Sequence, residues 1–374
     1  MSVINNDKVF FDQDEKSRSP VLSINHWLRL SDEIVLHVLR QLPQSNLVTV
    51  SFVNRRFRDL SRDDSLWTEL TLDYKDFQYR QYANSCGQLV ERCKKLSHLS
   101  ISNNSNIEST LEIMTAVVLA KETLKSLYID SSISNWTRDS LALIGCMSEL
   151  RCLSLALKIR SSLSWGRDLE EIWKNWNLPH LEELDLDVEL LGVDVDEDRE
   201  ILKNLFLQLR KLKVVQMSHA NDAVVTALAT NNPDLRILSI HDWCDLTDYG
   251  ILALADSCPD LEELRLNDDL TMCALNHLSA SCKKIKYLQV EEIRCEDNED
   301  FEEMLSKSIG QLISLEHLWL RYCFELSDSG VERIVRAARK LKHLRIDVAP
   351  KVTESLVQKL RLENPEVYLW ITSW

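Results

Sequence analysis

Glycine and proline are scarce in this chain, seven of each among 374 residues, which leaves little room for long linkers. No apolar run approaches the ~20 residues that a membrane-spanning helix needs. Residues Met1 to Pro20 lack the apolar core of a secretory signal. The expected location is therefore the cytoplasm, the nucleus or both. The ten cysteines form no CxxC pair, so no zinc knuckle is expected. In a reducing compartment a disulfide framework is a poor reading of them. No phosphate-cradling GxxxxGK or GxGxxG loop is present, and no GxSxG elbow. The nine histidines show neither HExxH nor any paired spacing. These absences point away from an enzyme and away from a resident metal or cofactor. Positive charge is also short. A formal net charge of −15 argues against a nucleic-acid duplex or an anionic membrane as the main partner, and permits a basic protein one.

Leucine, by contrast, recurs in phase. One phrase runs down most of the chain: an apolar residue, two variable residues, Leu, one variable residue, then an apolar residue. It reads Leu96-Ser-His-Leu99-Ser-Ile101, Leu181-Glu-Glu-Leu184-Asp-Leu186, Leu235-Arg-Ile-Leu238-Ser-Ile240 and Leu341-Lys-His-Leu344-Arg-Ile346, with further copies between. Trp67 to Leu72 opens the series, and Val367 to Ile371 closes it in degenerate form. Alternate residues of a strand face opposite ways, so Leu99 and Ile101 point inward while His98, Ser100 and Ser102 point outward. Between these strands lies helical spacing: Ile201, Leu202, Leu205, Phe206 and Leu209 share one face, as do Val331, Ile334, Val335 and Ala338.

The copies start roughly 23 to 31 residues apart, the period of leucine-rich-repeat solenoids. Such units bury their apolar faces only against their neighbours. The expected fold is thus α/β: a curved parallel sheet with helices on its convex side, over residues 68–374, in about ten to twelve repeats.

Residues 1–25 show no periodicity and are expected to form a disordered arm. Residues 26–67 read as three short helices. Ser31 is placed to cap the first, Asp32 and Glu33 suit its dipole, and Ile34, Val35, Val38, Leu39 and Leu42 give its apolar face before Pro43 stops it. Helices follow around Gln44–Val53 and Asn54–Arg62. So small a unit buries little by itself, and its surplus apolar surface must pack on the first repeat or be offered to another protein.

This stretch resembles an F-box. The matching residues are Leu30-Ser-Asp-Glu-Ile34, the Leu42-Pro43 stop, Val53-Asn54-Arg55-Arg56-Phe57 and Asp64-Ser65-Leu66-Trp67. Ser31 stands where that family usually has Pro, and Phe52-Val53-Asn54 where a Cys is common. The repeats resemble the cysteine-containing leucine-rich repeats joined to F-boxes, most clearly at Cys244 to Ile251 and Cys323 to Val331, where Thr247 and Ser327 are the expected helix caps. The resemblance implies the substrate-recognition subunit of a Skp–cullin–F-box ubiquitin ligase. The F-box would dock on the Skp adaptor through Trp27, Leu30, Ile34, Val38, Leu42, Pro43, Leu47 and Val50, and through it meet the cullin and RING subunits. The alternative is a protein-interaction scaffold that does not direct degradation.

Cys93, Cys258 and Cys282 each sit three residues before a strand's first apolar residue, the pattern of small core residues. An insert carrying Trp165, Trp173 and Trp176 reads either as core filling or as a binding loop. The acidic run Asp194 to Glu200 reads as a solvated loop or a contact. With Trp374 just beyond the last strand-like segment, the concave surface is expected to be open. On it the expected substrate-binding residues fall in two patches. Asp185 and Asp187, with Glu183, make an acidic one. His317, Trp319, Arg321, His343 and Arg345 make an aromatic and basic one suited to an acidic or phosphorylated segment, unless these are ordinary solvated residues. His241 and Arg265 lie between.

Overall fold

A column of apolar residues, one per repeat, sets the register of the long sheet. In the computed structural model Leu70 pairs with Leu99 and Leu99 with Leu127. The series continues through Leu153, Leu184, Val215, Leu238, Leu264, Leu288, Leu318 and Leu344 to Leu369. All twelve are buried and every pairing is parallel. The structure describes residues 29–42, 44–73, 90, 93–102, 110–130, 136–160, 165–191, 195–241, 245–295 and 300–372. The expected N-terminal arm, Trp27, Pro43 and Cys244 lie outside the described residues.

The strands are β1 (Glu69–Asp73), β2 (His98–Ser102), β3 (Ser126–Ile129), β4 (Cys152–Arg160), β5 (Glu183–Leu191), β6 (Val214–Met217) and β7 (Ile237–Ile240). There follow β8 (Glu263–Leu266), β9 (Leu270–Thr271), β10 (Tyr287–Val290), β11 (Ile293–Arg294), β12 (His317–Arg321), β13 (His343–Asp347) and β14 (Tyr368–Ile371). Twelve of them form one sheet in chain order, while β9 and β11 pair separately. A helix in nearly every connection covers one face. This is the leucine-rich-repeat solenoid that the sequence pattern implies.

The chain divides between Leu66 and Trp67 into two units. In the first, α1 (Asp32–Leu39), α2 (Gln44–Val50) and α3 (Arg55–Leu60) are shorter than the sequence suggests. Ser31 takes the extended N-cap conformation, yet its side chain makes no capping bond. Arg56 supplies the tie instead: its guanidinium donates to Leu30 O at 2.5 Å and bridges Asp32 at 2.6 Å, joining α3 to the start of α1. Asn54 caps α3 by accepting from Phe57 N at 2.9 Å.

In the second unit neighbouring repeats are clamped at their helix starts. Asp222 Oδ1 accepts from the backbone of Thr247 at 2.8 Å and of Gly250 at 3.1 Å, and Oδ2 accepts from the Thr247 hydroxyl at 2.6 Å. Asp328 holds Thr353 in the same way, at 2.7 and 2.6 Å. Thr247 caps its own helix by accepting from Tyr249 N at 3.2 Å. Ser327 does not cap as expected; its backbone N–H instead donates to Glu302 at 2.8 Å.

The cysteines form a second link. Cys258 and Cys282 end successive helices, and each thiol reaches back one repeat, to Asn232 O at 3.5 Å and to Cys258 O at 3.4 Å. Trp173 and Trp176 are buried with ring centroids 6.0 Å apart, so they fill the core. The acidic run is not a loop. Its described part opens the helix Val195–Phe206.

Candidate binding surfaces

Parallel strands lie about 4.8 Å apart, so side chains at one register position stack into rows. On the face that no described helix covers, near the C-terminal end, one row holds Glu263, Tyr287, His317, His343 and Tyr368. The next holds Arg265, Gln289, Trp319, Arg345 and Trp370. The first is an aromatic ladder. Tyr287 stacks on His317 at 5.6 Å, His317 on His343 at 4.5 Å with their planes 6° apart, and His343 meets Tyr368 at 5.7 Å. These rings, with Trp319, Arg345 and Trp370, line a hollow of about 420 Å³.

The cations in and beside that hollow are already engaged. Arg345 lies 4.0 Å over the Trp319 ring and bridges Asp347 at 2.9 Å. Arg321 is 3.2 Å from Glu291. Arg265 lies 4.4 Å over the Tyr287 ring and 2.5 Å from Glu263, an ion pair in which its N–H does not align on the oxygen. Burial, reinforced by the neighbouring His343, holds His317 below the ordinary imidazole range. Burial pushes the Tyr287 hydroxyl up. At neutral pH this end of the sheet is therefore aromatic and close to charge-balanced.

A second hollow, of about 470 Å³, lies further up the sheet and is lined by Tyr128, Asp130, Ser154, Asp185, Asp187 and His241 among others. Asp185 accepts from the Ser154 hydroxyl at 2.8 Å. The substrate residues expected from sequence thus divide. Asp185, Asp187 and His241 come together here, while His317, Trp319, His343 and Arg345 meet in the first hollow, with Arg265 and Arg321 beside it. Sequence reading missed Tyr287, Tyr368 and Trp370. Each occupies an outward position of its repeat phrase, so the same alternation could have found them.

Of the residues expected from sequence to dock the adaptor, Ile34 is 49% exposed, and Leu30, Val38, Leu42 and Val50 are half-buried. Leu47 is 2% exposed. It is a core residue rather than a contact, because α2 turns that side inward. Val35 and Leu39 are the buried residues of α1, so Ile34 lies off its inward face. Phe52 and Val53, at the turn before α3, are exposed as well.

A family profile described as F-box-like matches residues 27–73. The chain joins an F-box-like unit to leucine-rich repeats. The chain is 25% identical over 253 residues to F-box/LRR-repeat protein 17 of Arabidopsis thaliana, a match covering 62% of the chain. It spans about two fifths (41%) of that relative's length. Among solved structures it is similar to a chain of the yeast Rad7 and Elc1 complex, with a TM-score of 0.62 and 16% identity, covering 92% of this chain and 94% of that one. That likeness establishes the fold alone.

No helix among the described residues is long and apolar enough to cross a membrane. No group of three or more metal-ligating side chains gathers among them.

Proposed function

We propose that this chain is the substrate-recognition subunit of a Skp–cullin–F-box ubiquitin ligase, working in the cytoplasm or nucleus. The observation that carries the reading is an F-box-like unit with an exposed Ile34 joined to a twelve-stranded repeat sheet with one face that no described helix covers. The F-box docks on the Skp adaptor, which links the chain to a cullin and a RING subunit. The repeats hold a protein substrate. The chain contributes proximity and orientation, and the bond-making groups belong to other subunits.

Co-expression with a Skp adaptor tests this. The intact chain is expected to co-purify with it at equal stoichiometry, and Ile34→Asp to lose it while the repeats stay folded. An intact chain that ignores the adaptor would overturn the reading in favour of a repeat scaffold that does not direct degradation.

A further inference from the structure

We infer that the hollow at the C-terminal end of the open face takes an extended, uncharged segment rich in proline and aromatic residues, and not an acidic or phosphorylated one. The inference rests on the receptor reading for the segment's role as substrate.

Charge decides the class of partner. An incoming carboxylate or phosphate seeks an arginine, and each arginine here already has its anion. Arg345 shares Asp347 with the Trp319 indole, Arg321 is paired with Glu291, and Arg265 with Glu263. A phosphate entering beside Arg345 would have to displace Asp347 from two donors at once. A basic segment meets those same arginines. What remains unmatched is aromatic surface, with Tyr368 57% and Trp370 48% exposed.

Polar capacity points the same way. The ring nitrogens of His343 and the indole N–H of Trp370 have no hydrogen-bond partner among the described residues. Trp and Tyr pair a stacking body with one donor, which suits backbone carbonyls that have no neighbouring N–H. Proline-rich segments present such carbonyls and dock on aromatic-lined grooves in an extended form. That form rises about 3.1 Å per residue, so about five residues cross the four-ring ladder.

A second aromatic pair lies just after β12, outside the residues that line the hollow. Tyr322 follows β12 with φ 49°, a left-handed conformation rare for a bulky residue. Its ring stacks on Phe324 at 6.2 Å, and both are exposed. Such strain persists only where surrounding structure holds it.

The test is selection of short random peptides displayed on phage, with the full chain bound to its adaptor as bait, alongside a synthetic phosphoserine peptide set. The expected winners are uncharged and rich in Pro together with Tyr, Trp or Phe. Their affinity should change little with salt. Trp370→Ala or His343→Ala should weaken them about tenfold, whereas Lys359→Gln, in the helix Glu354–Glu363 away from the hollow, should leave them unchanged. Acidic, phosphorylated or basic winners would overturn the inference. So would salt-sensitive binding, winners matching this chain's own sequence, or no winners. Ile34→Asp bait, free of adaptor, should select the same peptides, so a failed F-box reading and a failed peptide reading give different results.

Discussion

The indole N–H of Trp319 donates to Oδ2 of Asp347 at 2.9 Å, the same oxygen that Arg345 bridges from two residues away. One carboxylate thus neutralises the guanidinium and fixes the ring beneath it. Asp347→Asn keeps an acceptor for Trp319 but leaves Arg345 uncompensated. An acidic peptide should then bind several-fold more tightly at low salt, with the gain fading as salt rises. Titration by fluorescence anisotropy at two ionic strengths reads this directly.

The first helix separates folding from docking. Val35 is 1% exposed, and Val35→Ala should cost about 2 kcal/mol of stability in the helical unit through the cavity it leaves. Ile34→Asp, on the exposed side, should leave the denaturation midpoint unchanged while abolishing adaptor binding. Parallel urea titration and pull-down of the two variants check the split.

His317 makes stability depend on pH. Its folded pKa is depressed, so below about 6.5, the ordinary imidazole value, the unfolded chain binds more protons than the folded one. Stability is therefore present above that value and lost as pH falls through it. The urea midpoint should drop between neutral and mildly acidic buffer, and His317→Gln should flatten the dependence. An unchanged slope in that variant would sink the assignment.

The clamp between repeats is a further test. Asp222→Ala removes three hydrogen bonds to the next helix start and should cost about 1–2 kcal/mol. Gly250→Ala should do similar damage. A Cβ there would lie 2.6 Å from Asp222 Oδ1 and 3.1 Å from Leu246, so the clamp must open. The double variant should lose less than the sum of the two, because both break one contact.

Burial pushes the Cys258 thiol up to about 12 and that of Cys282 to about 11. Neither presents a thiolate at working pH. Cys146 and Cys273 are exposed. Brief treatment of the native chain with iodoacetamide, read by peptide mass spectrometry, should label Cys146 and Cys273 and spare Cys258 and Cys282.

Much of the fold was legible because it repeats. Each Leu at the phrase's fourth position lands in one register column, and a slip by one residue would turn every inward side chain to solvent. The helix ends were less legible. Ser31 and Ser327 look like caps, yet the bonds at those ends come from Arg56 and Glu302, residues 25 positions away in each case. The open face was half legible. Alternation names Trp319 and Arg345 as outward residues, but it does not say that Arg345 lies on Trp319 and is held by Asp347.

The sequence by itself determined the order of parts, a small helical unit followed by a solenoid, because apolar spacing dictates which faces must be covered. It also determined which side chains leave the sheet. Only the tertiary structure decided what those side chains do. Arg265 and Arg345 pair with carboxylates two residues away on their own strands, Glu263 and Asp347, while Arg321 reaches Glu291 of the preceding repeat. That these same-face neighbours meet, and that Arg345 lies over Trp319 of the adjacent strand, is set by how the repeats stack.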